Sequence, residues 1–393
     1  MNTVKSIINE IEPDLIQIRH HLHKHPELSF NEFNTSAYIK SVLNKNQIKY
    51  KDGFVKTGIV AEIGLQNKPI IAIRADMDAL PIAEENNCEY KSVNHGIMHA
   101  CGHDVHTTCA LGAAIALKKI ESSINGKILI VFQPGEEVLP GGAQLMIQEG
   151  AFGNSLPDAI VGLHVFPEME IGNLGFCIGE YMASSDEIFI EIIGKGGHAA
   201  MPEYYNNPLL IASKLLMCYS GEFDYKNTIK HTKAPSVLAF GKIIGNGATN
   251  VIPEKVCIEG TFRAMDEEWR QVAHKKITAL ANEIAIANDC KIIVNIKKGY
   301  PVLINNKLIT EKCMHIASLV FDNNHIHVIP KRMTAEDFAF YSQIMPACFF
   351  RLGTRNEKEN IVSPVHTSTF NIDEKAIVIG ATALATMALE LTN

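Results

Sequence analysis

Apolar positions along the chain keep two rhythms. After Pro13, Leu15, Ile18 and Leu22 recur at helical spacing, and Pro13 suits the first turn of that helix. A second helix is predicted near Asn31–Leu43. Short, almost continuous apolar runs then alternate with helical stretches. Thr57–Ile63, Pro69–Arg74, Lys127–Gln133 (KILIVFQ) and Ala159–Val165 (AIVGLHV) read as strands. Asp104–Lys118 and Gly142–Glu149 read as helices, with Asp104 a cap for the first. Strands apolar on both faces, interleaved with helices, predict an α/β fold. Its central sheet is mostly parallel and carries helices on both faces.

From about Ser184 the rhythm changes. Glu187–Ile193, Ser236–Ile244, Val256–Arg263 and Cys290–Lys297 read as strands, with helices over Pro208–Tyr219 and Glu267–Asn288. The order β-α-β-β-α-β is that of a ferredoxin-like α+β unit. After Pro301 the first rhythm resumes. Helices are predicted over Asn306–Leu319, Ala335–Gln343 and Glu374–Leu391, and a strand over Ala347–Leu352. The C-terminal part holds too few strands for a sheet of its own. The expectation is therefore a domain built from 1–183 and 299–393, interrupted by an inserted domain over 184–298, rather than three domains in series.

Composition narrows the class. At 393 residues, two or three domains are expected. Hydrophobic residues make up 47% and charged ones 20%, which excludes disorder as the main state. The net charge of −7, with no basic stripe, gives no footprint for nucleic acid. The N-terminal segment mixes charges with apolar residues and reads as neither signal nor transit peptide. The longest near-apolar run, the 14 residues Ala376–Leu389, is too short to span a bilayer and reads as a buried helix. A cytoplasmic protein with no membrane partner is expected. Nine irregularly spaced cysteines there are thiols or ligands, not a disulfide framework.

The chemistry-bearing residues fall where parallel strands end, the edge at which such sheets bind ligands. Asp76 and Asp78 follow the strand Pro69–Arg74, Glu136 and Glu137 follow Lys127–Gln133, and His164 closes Ala159–Val165. The densest segment, MHACGHDVH, holds His99, Cys101, His103, Asp104 and His106. A thiolate and imidazoles this close suit zinc, and equally cobalt, nickel or manganese in a mixed site. In extended backbone Cys101 and His103 would point the same way. Of the adjacent glutamates, one would bind metal and the other take the proton of an activated water; spacing alone leaves open which does which. His198, in GKGGHAAMP, is flanked by glycines that let backbone approach a ligand, a pattern a glycine-rich hairpin shares. Arg263 at a strand end is placed to clamp a carboxylate or to form a surface ion pair. His20, His21, His23 and His25 read as a polar helix face and loop. Cys88, Cys109, Cys177, Cys218, Cys257, Cys290, Cys313 and Cys348 read as core.

Taken in order, HPELSF, RADMDALP, HACGHDVH, QPGEE, GLHV, GKGGHAAMP, TNVIP, AEDFAFY and VHTSTF resemble the aminoacylase/hippurate hydrolase branch of the di-metal amidohydrolases and metallopeptidases. That branch includes N-acyl-amino-acid amidohydrolases, N-acetyl-diaminopimelate deacetylases and auxin-conjugate hydrolases. The resemblance runs from about residue 14 to the end. It implies that Cys101, His103, Glu137, His164 and His366 hold two divalent ions, zinc or manganese first, nickel or cobalt otherwise. It implies Glu136 as general base and Asp76 as an acid beside the metals. His198, Asn250, Arg263 and Gly353 would meet the substrate, and the inserted domain would act as a lid and as the contact of a homodimer or larger assembly. The implied reaction is hydrolysis of the amide bond of an N-acyl amino acid. Its rivals are exopeptidase action on small peptides at the same site, a cysteine-nucleophile hydrolase using Cys101, and a non-catalytic metal protein. The sequence departs from many relatives at Glu203 and Asn207, and at Thr367–Ser368.

Overall fold

The computed structural model describes residues 2–224 and 234–393. Two compact units emerge: residues 1–179, 304–330 and 337–393 form the first, and 180–303 with 331–336 the second. The second unit begins at residue 180 and ends at 303, and it also takes in a separate segment. The short segment 331–336 joins the second unit because Arg332 donates its N–H to Tyr181, and the Arg332 carbonyl accepts from Ala183.

In chain order, β1 (Lys49–Phe54), β2 (Gly58–Ile63), β3 (Ile70–Asp76), β4 (Lys127–Gln133), β5 (Ala159–Glu170) and β6 (Leu174–Phe176) come first. The strands β7 (Asp186–Ile193), β8 (Ser236–Ile244), β9 (Lys255–Ala264) and β10 (Lys291–Lys298) belong to the second unit. The chain returns with β11 (Ile326–Val328) and β12 (Ala347–Arg355). The first unit's sheet runs β1-β2-β4-β3-β5-β12-β6-β11. Its centre, β4-β3-β5-β12, is parallel, while β1 and β2 are antiparallel on one flank and β6 turns antiparallel to β12.

Both faces of the sheet's centre are buried. Ile128, Ile130 and Phe132 of β4 enter the main core, and the alternate residues Leu129 and Val131 are buried on the other side. Helix α1 (Glu12–Lys24), α2 (His103–Lys119) and α3 (Lys375–Leu391) contribute to the main core. Every residue of α2 from His103 to Leu117 is buried, as expected of a helix enclosed by protein on all sides. The apolar run Ala376–Leu389 lies within α3. Among the described residues no helix is long and apolar enough to cross a membrane.

The second unit has a four-stranded antiparallel sheet ordered β8-β9-β7-β10. This is the strand order of a ferredoxin-like unit. Ile188, Ile190 and Ile192 of β7 pack with Ile211, Leu215 and Tyr219 of the helix Pro208–Glu222 and with Ala273, Ile277 and Ala281 of Glu267–Ala287.

Several sequence expectations are corrected. Ala335–Gln343 is not a helix; only Ala339–Ser342 is, because Asp337 turns inward to accept from Arg74, Gln133 and the Ala143 N–H. The N-cap of α2 is Gly102, not Asp104. Asp104 instead accepts from Arg19 Nε at 3.1 Å and pairs with His23 Nδ1 at 2.8 Å. His23 is therefore no surface residue: it is 1% exposed, with Nε2 3.0 Å from Glu84. Of the eight cysteines read as core, Cys109, Cys177, Cys313 and Cys348 are buried, and the other four are half-buried.

Candidate metal centre and active site

Asp76 ends β3 directly beside Gln133, the last residue of β4. The parallel strands thereby bring the RADMD and QPGEE segments to one edge. Cys101 lies in a turn and His103 opens α2, so they converge through a turn rather than through strand alternation. Gly102 makes that turn with φ 83°, and a Cβ there would sit 2.6 Å from Cγ2 of Val165. Only glycine lets the turn press this closely on β5. His164 is mid-strand, since β5 runs on to Glu170. It emerges at the edge because pairing with β3 stops at Gly162. His366 enters on a left-handed residue, φ 62°, and its N–H is tied to the Ala100 carbonyl at 2.8 Å.

The side chains meet. Cys101 Sγ lies 3.4 Å from His164 Nε2 and 3.3 Å from His366 Nε2. Glu137 Oε1 lies 3.5 Å from His366 Nε2 and 3.9 Å from His103 Nε2. The donors of Cys101, His103 and His164 lie within 4.8 Å of one another, as do those of Cys101, Glu137 and His366, and those of His103, Glu136 and Glu137. His103 Nε2 and Glu137 Oε1 are buried without a hydrogen-bond partner. Buried polar atoms are rarely left so. Two orphaned donors within a sulfur, imidazole and carboxylate set fit divalent ions of the zinc type.

His106 is excluded from ligation by its own bonds. Its Nδ1 pairs with Asp76 at 2.6 Å and its Nε2 accepts from the Val165 N–H at 2.9 Å. Both nitrogens are spent.

The electrostatics fit a cation. Burial opposes ionisation of Asp76, but Arg74, His103 and His106 outweigh it and hold the carboxyl well below its usual range. Burial would lower His103, yet Asp76 and Asp78 raise it to about 10. Burial, followed by Arg351, keeps His164 neutral. Burial, followed by Glu137, pushes the Cys101 thiol well up.

The second unit holds three of the four expected substrate residues, His198, Asn250 and Arg263. The strand pair joins Val251 to His198, and the Asn250 carbonyl accepts from Ala199 at 3.0 Å. His198 is exposed. Arg263 lies near the end of β9 with Nη1 buried and unpartnered. Gly353, in the first unit, gives its N–H to the Asn173 carbonyl at 2.9 Å. The departures at Asn207 and Ser368 have structural partners. Asn207 caps its helix through the Leu209 N–H, and Ser368 donates to Glu85 at 2.8 Å.

Residues 72–390 match peptidase family M20/M25/M40. The chain belongs to that family. It is 40% identical over 380 residues to the N-acetyl-L-cysteine deacetylase of Bacillus subtilis (strain 168), covering 94% of this chain and 86% of that one. It is 34% identical to thermostable carboxypeptidase 2 of Saccharolobus solfataricus, covering 99% and 98%. A solved Bacillus subtilis structure titled a dinuclear metal binding peptidase from the M20 family superposes with a TM-score of 0.83 at 31% identity, covering 98% and 99%. As an M20/M25/M40 member, the chain is a hydrolase of linear amide bonds.

In this M20/M25/M40 hydrolase, two further buried acids, Asp78 and Asp337, stand behind the candidate ligands. Asp78 takes Ser29 Oγ at 2.6 Å, the Glu137 N–H at 3.1 Å and His103 Nδ1 at 3.2 Å. Asp337 binds Arg74 Nη2 at 2.7 Å and Gln133 Nε2 at 2.7 Å. Their signal was the buried acid inside a recognisable motif, RADMD and AEDFAFY.

Proposed function

We propose that the chain hydrolyses the amide bond of N-acyl amino acids, with Cys101, His103, Glu137, His164 and His366 holding two divalent ions, zinc or manganese in first place. The observation that carries the reading is the orphaned pair His103 Nε2 and Glu137 Oε1, set beside a second glutamate, Glu136, that is 7% exposed. When bound, the ions would lower the pKa of a water and draw electron density from the scissile carbonyl. Glu136 takes the proton of the attacking water and returns it to the leaving amine. His198 Nδ1 accepts the Ala200 N–H at 3.2 Å, which leaves Nε2–H as a donor; that donor is assigned to the developing oxyanion. Arg263 is assigned to the substrate carboxylate, with Asn250 near His198. Gly353 is kept as a backbone contact through atoms other than its N–H. Asp76 holds His106 and Arg74 in place behind the ligands.

The second unit is proposed as an inserted lid that also joins a homodimer or larger assembly. Its exposed Leu210, Met217, Ile243 and Ile244 support that contact. A cytoplasmic location is proposed on the nine free cysteines.

The carboxypeptidase relative supports a second reading, exopeptidase action on small peptides with the same centre. Metal analysis of the purified protein, followed by kinetics on N-acetyl and N-benzoyl amino acids, N-acetyl-diaminopimelate and dipeptides, tests both. The expected result is about two ions per chain, higher kcat/KM on acyl amino acids, loss of activity to chelators and recovery on adding metal. Activity that survives chelation and dies with iodoacetamide would overturn the metal mechanism.

A further inference from the structure

The stretch Ser29–Glu32, which begins within HPELSF and ends two residues beyond it, supplies none of the proposed metal donors, yet it reaches the glutamate pair from two sides. Glu32 has no exposed surface. Its Oε1 accepts from the Phe30 N–H at 2.8 Å and from the Gly135 N–H at 2.9 Å, and its Oε2 accepts from Thr57 Oγ1 at 2.9 Å. Gly135 immediately precedes Glu136 in QPGEE. It takes φ 63°, and a Cβ there would lie 2.3 Å from the Phe30 ring, so ring and turn are in direct contact. Ser29 donates to Asp78 Oδ2 at 2.6 Å, and the same oxygen accepts the Glu137 N–H at 3.1 Å. The backbone on each side of Glu136 is therefore tied, through Glu32 before it and through Asp78 and Ser29 after it.

We infer that Glu32 is a positioning residue that fixes the Gly135–Glu137 turn and, through it, the place of Glu136. The geometry stands by itself; only the kinetic consequence rests on the function proposed above. Burial, followed by Asp78, raises the pKa of the Glu32 carboxyl to about 7, so the turn is held by the geometry of these three bonds rather than by charge; removing their acceptor would leave the buried Gly135 N–H unsatisfied. Other hydrogen bonds hold the fold at Glu32: its own carbonyl accepts from Ser36 at 2.8 Å, a contact that side-chain substitution spares. A general base must stand within hydrogen-bond reach of the proton it takes, so a loosened turn lowers kcat before it alters substrate binding.

The test compares Glu32→Ala, Glu32→Asp and Glu32→Gln in the full-length, metal-loaded protein. Gln presents the same Oε1 to Phe30 and Gly135 and turns its amide towards Thr57. Asp keeps the carboxyl but is one methylene too short to reach Gly135. Hydrogen exchange of the peptide spanning residues 133–138 reads the turn directly, and kcat and KM on a turned-over acyl amino acid read its consequence. We expect at least tenfold faster exchange of that peptide in E32A and E32D, and kcat lowered about 10- to 100-fold with KM within threefold and metal content unchanged. E32Q should stay near wild type in both readouts. If E32A does not fold, E32D decides. Unchanged exchange in E32D overturns the inference, and so does faster exchange with unchanged kcat. If the wild type turns over no acyl amino acid, the proposed function fails and the exchange comparison alone decides the role of Glu32.

Discussion

Glu136→Gln and Glu137→Gln separate two adjacent residues that the sequence alone leaves interchangeable. In the first variant the amide side chain keeps the size and one acceptor oxygen of the original glutamate. That oxygen can still take the Asp337 N–H, now 3.4 Å from Glu136 Oε1, so little folding energy is at stake. The change removes proton uptake while keeping the size of the side chain. General-base catalysis contributes about 10²- to 10⁴-fold, so kcat should fall by that factor, equivalent to about 3–5 kcal/mol of barrier. Metal content should stay at the wild-type level. Glu137 behaves differently because its Oε1 lies among His103, His366 and Cys101 without a partner. Glu137→Gln should lose metal affinity, and added metal should restore part of its activity. Metal analysis by mass spectrometry and steady-state kinetics on the same preparations read both effects. If E136Q turns over within threefold of wild type, or loses metal while E137Q keeps it, the division of roles is wrong.

Three further outcomes are expected. His198→Ala should lower kcat about 10²- to 10³-fold with metal content unchanged, the usual loss for one oxyanion donor; an effect on KM alone would refute the assignment of its Nε2–H. Gly102→Ala should reduce metal stoichiometry and stability together, because φ 83° and a 2.6 Å approach to Val165 both oppose a Cβ; a thermal melt and a metal assay that match wild type would refute it. In the second unit, burial opposes ionisation of Asp186, but its bonds to Arg270 and His274 hold its pKa down at about 2. A carboxyl depressed in the folded state binds fewer protons than in the unfolded chain, so its contribution is full above about pH 4 and fades as pH falls towards 2. Asp186→Asn should therefore cost about 2 kcal/mol or more at neutral pH and progressively less in acid; urea midpoints with the same wild-type difference at pH 7 and pH 3 would refute this.

The elements that local pattern predicts are those whose local pattern matches their burial. The strands β3, β4 and β5 are apolar on both faces because the sheet is covered on both. Asp76, Glu136 and Glu137 come together for a related reason, since parallel strands end at one edge whatever their sequence separation. What stayed hidden depends on partners far along the chain. β1 reads KYKDGF, a polar edge strand with no buried residue, so no periodicity marks it. His23 and Asp104 lie 81 positions apart. Each alone resembles a surface residue, and only the folded pairing makes both buried. Asp337 was read as part of a helix because its neighbours are helix formers, and its contacts with Arg74 and Gln133, more than 200 residues away, overrode that preference. The same reasoning explains Glu32. It lies two residues beyond the HPELSF motif, and its role depends on the Gly135 N–H, which is 103 positions away. Buried charges in this protein are therefore better predictors of where distant segments meet than apolar period is, because a buried carboxylate has to find its donors somewhere.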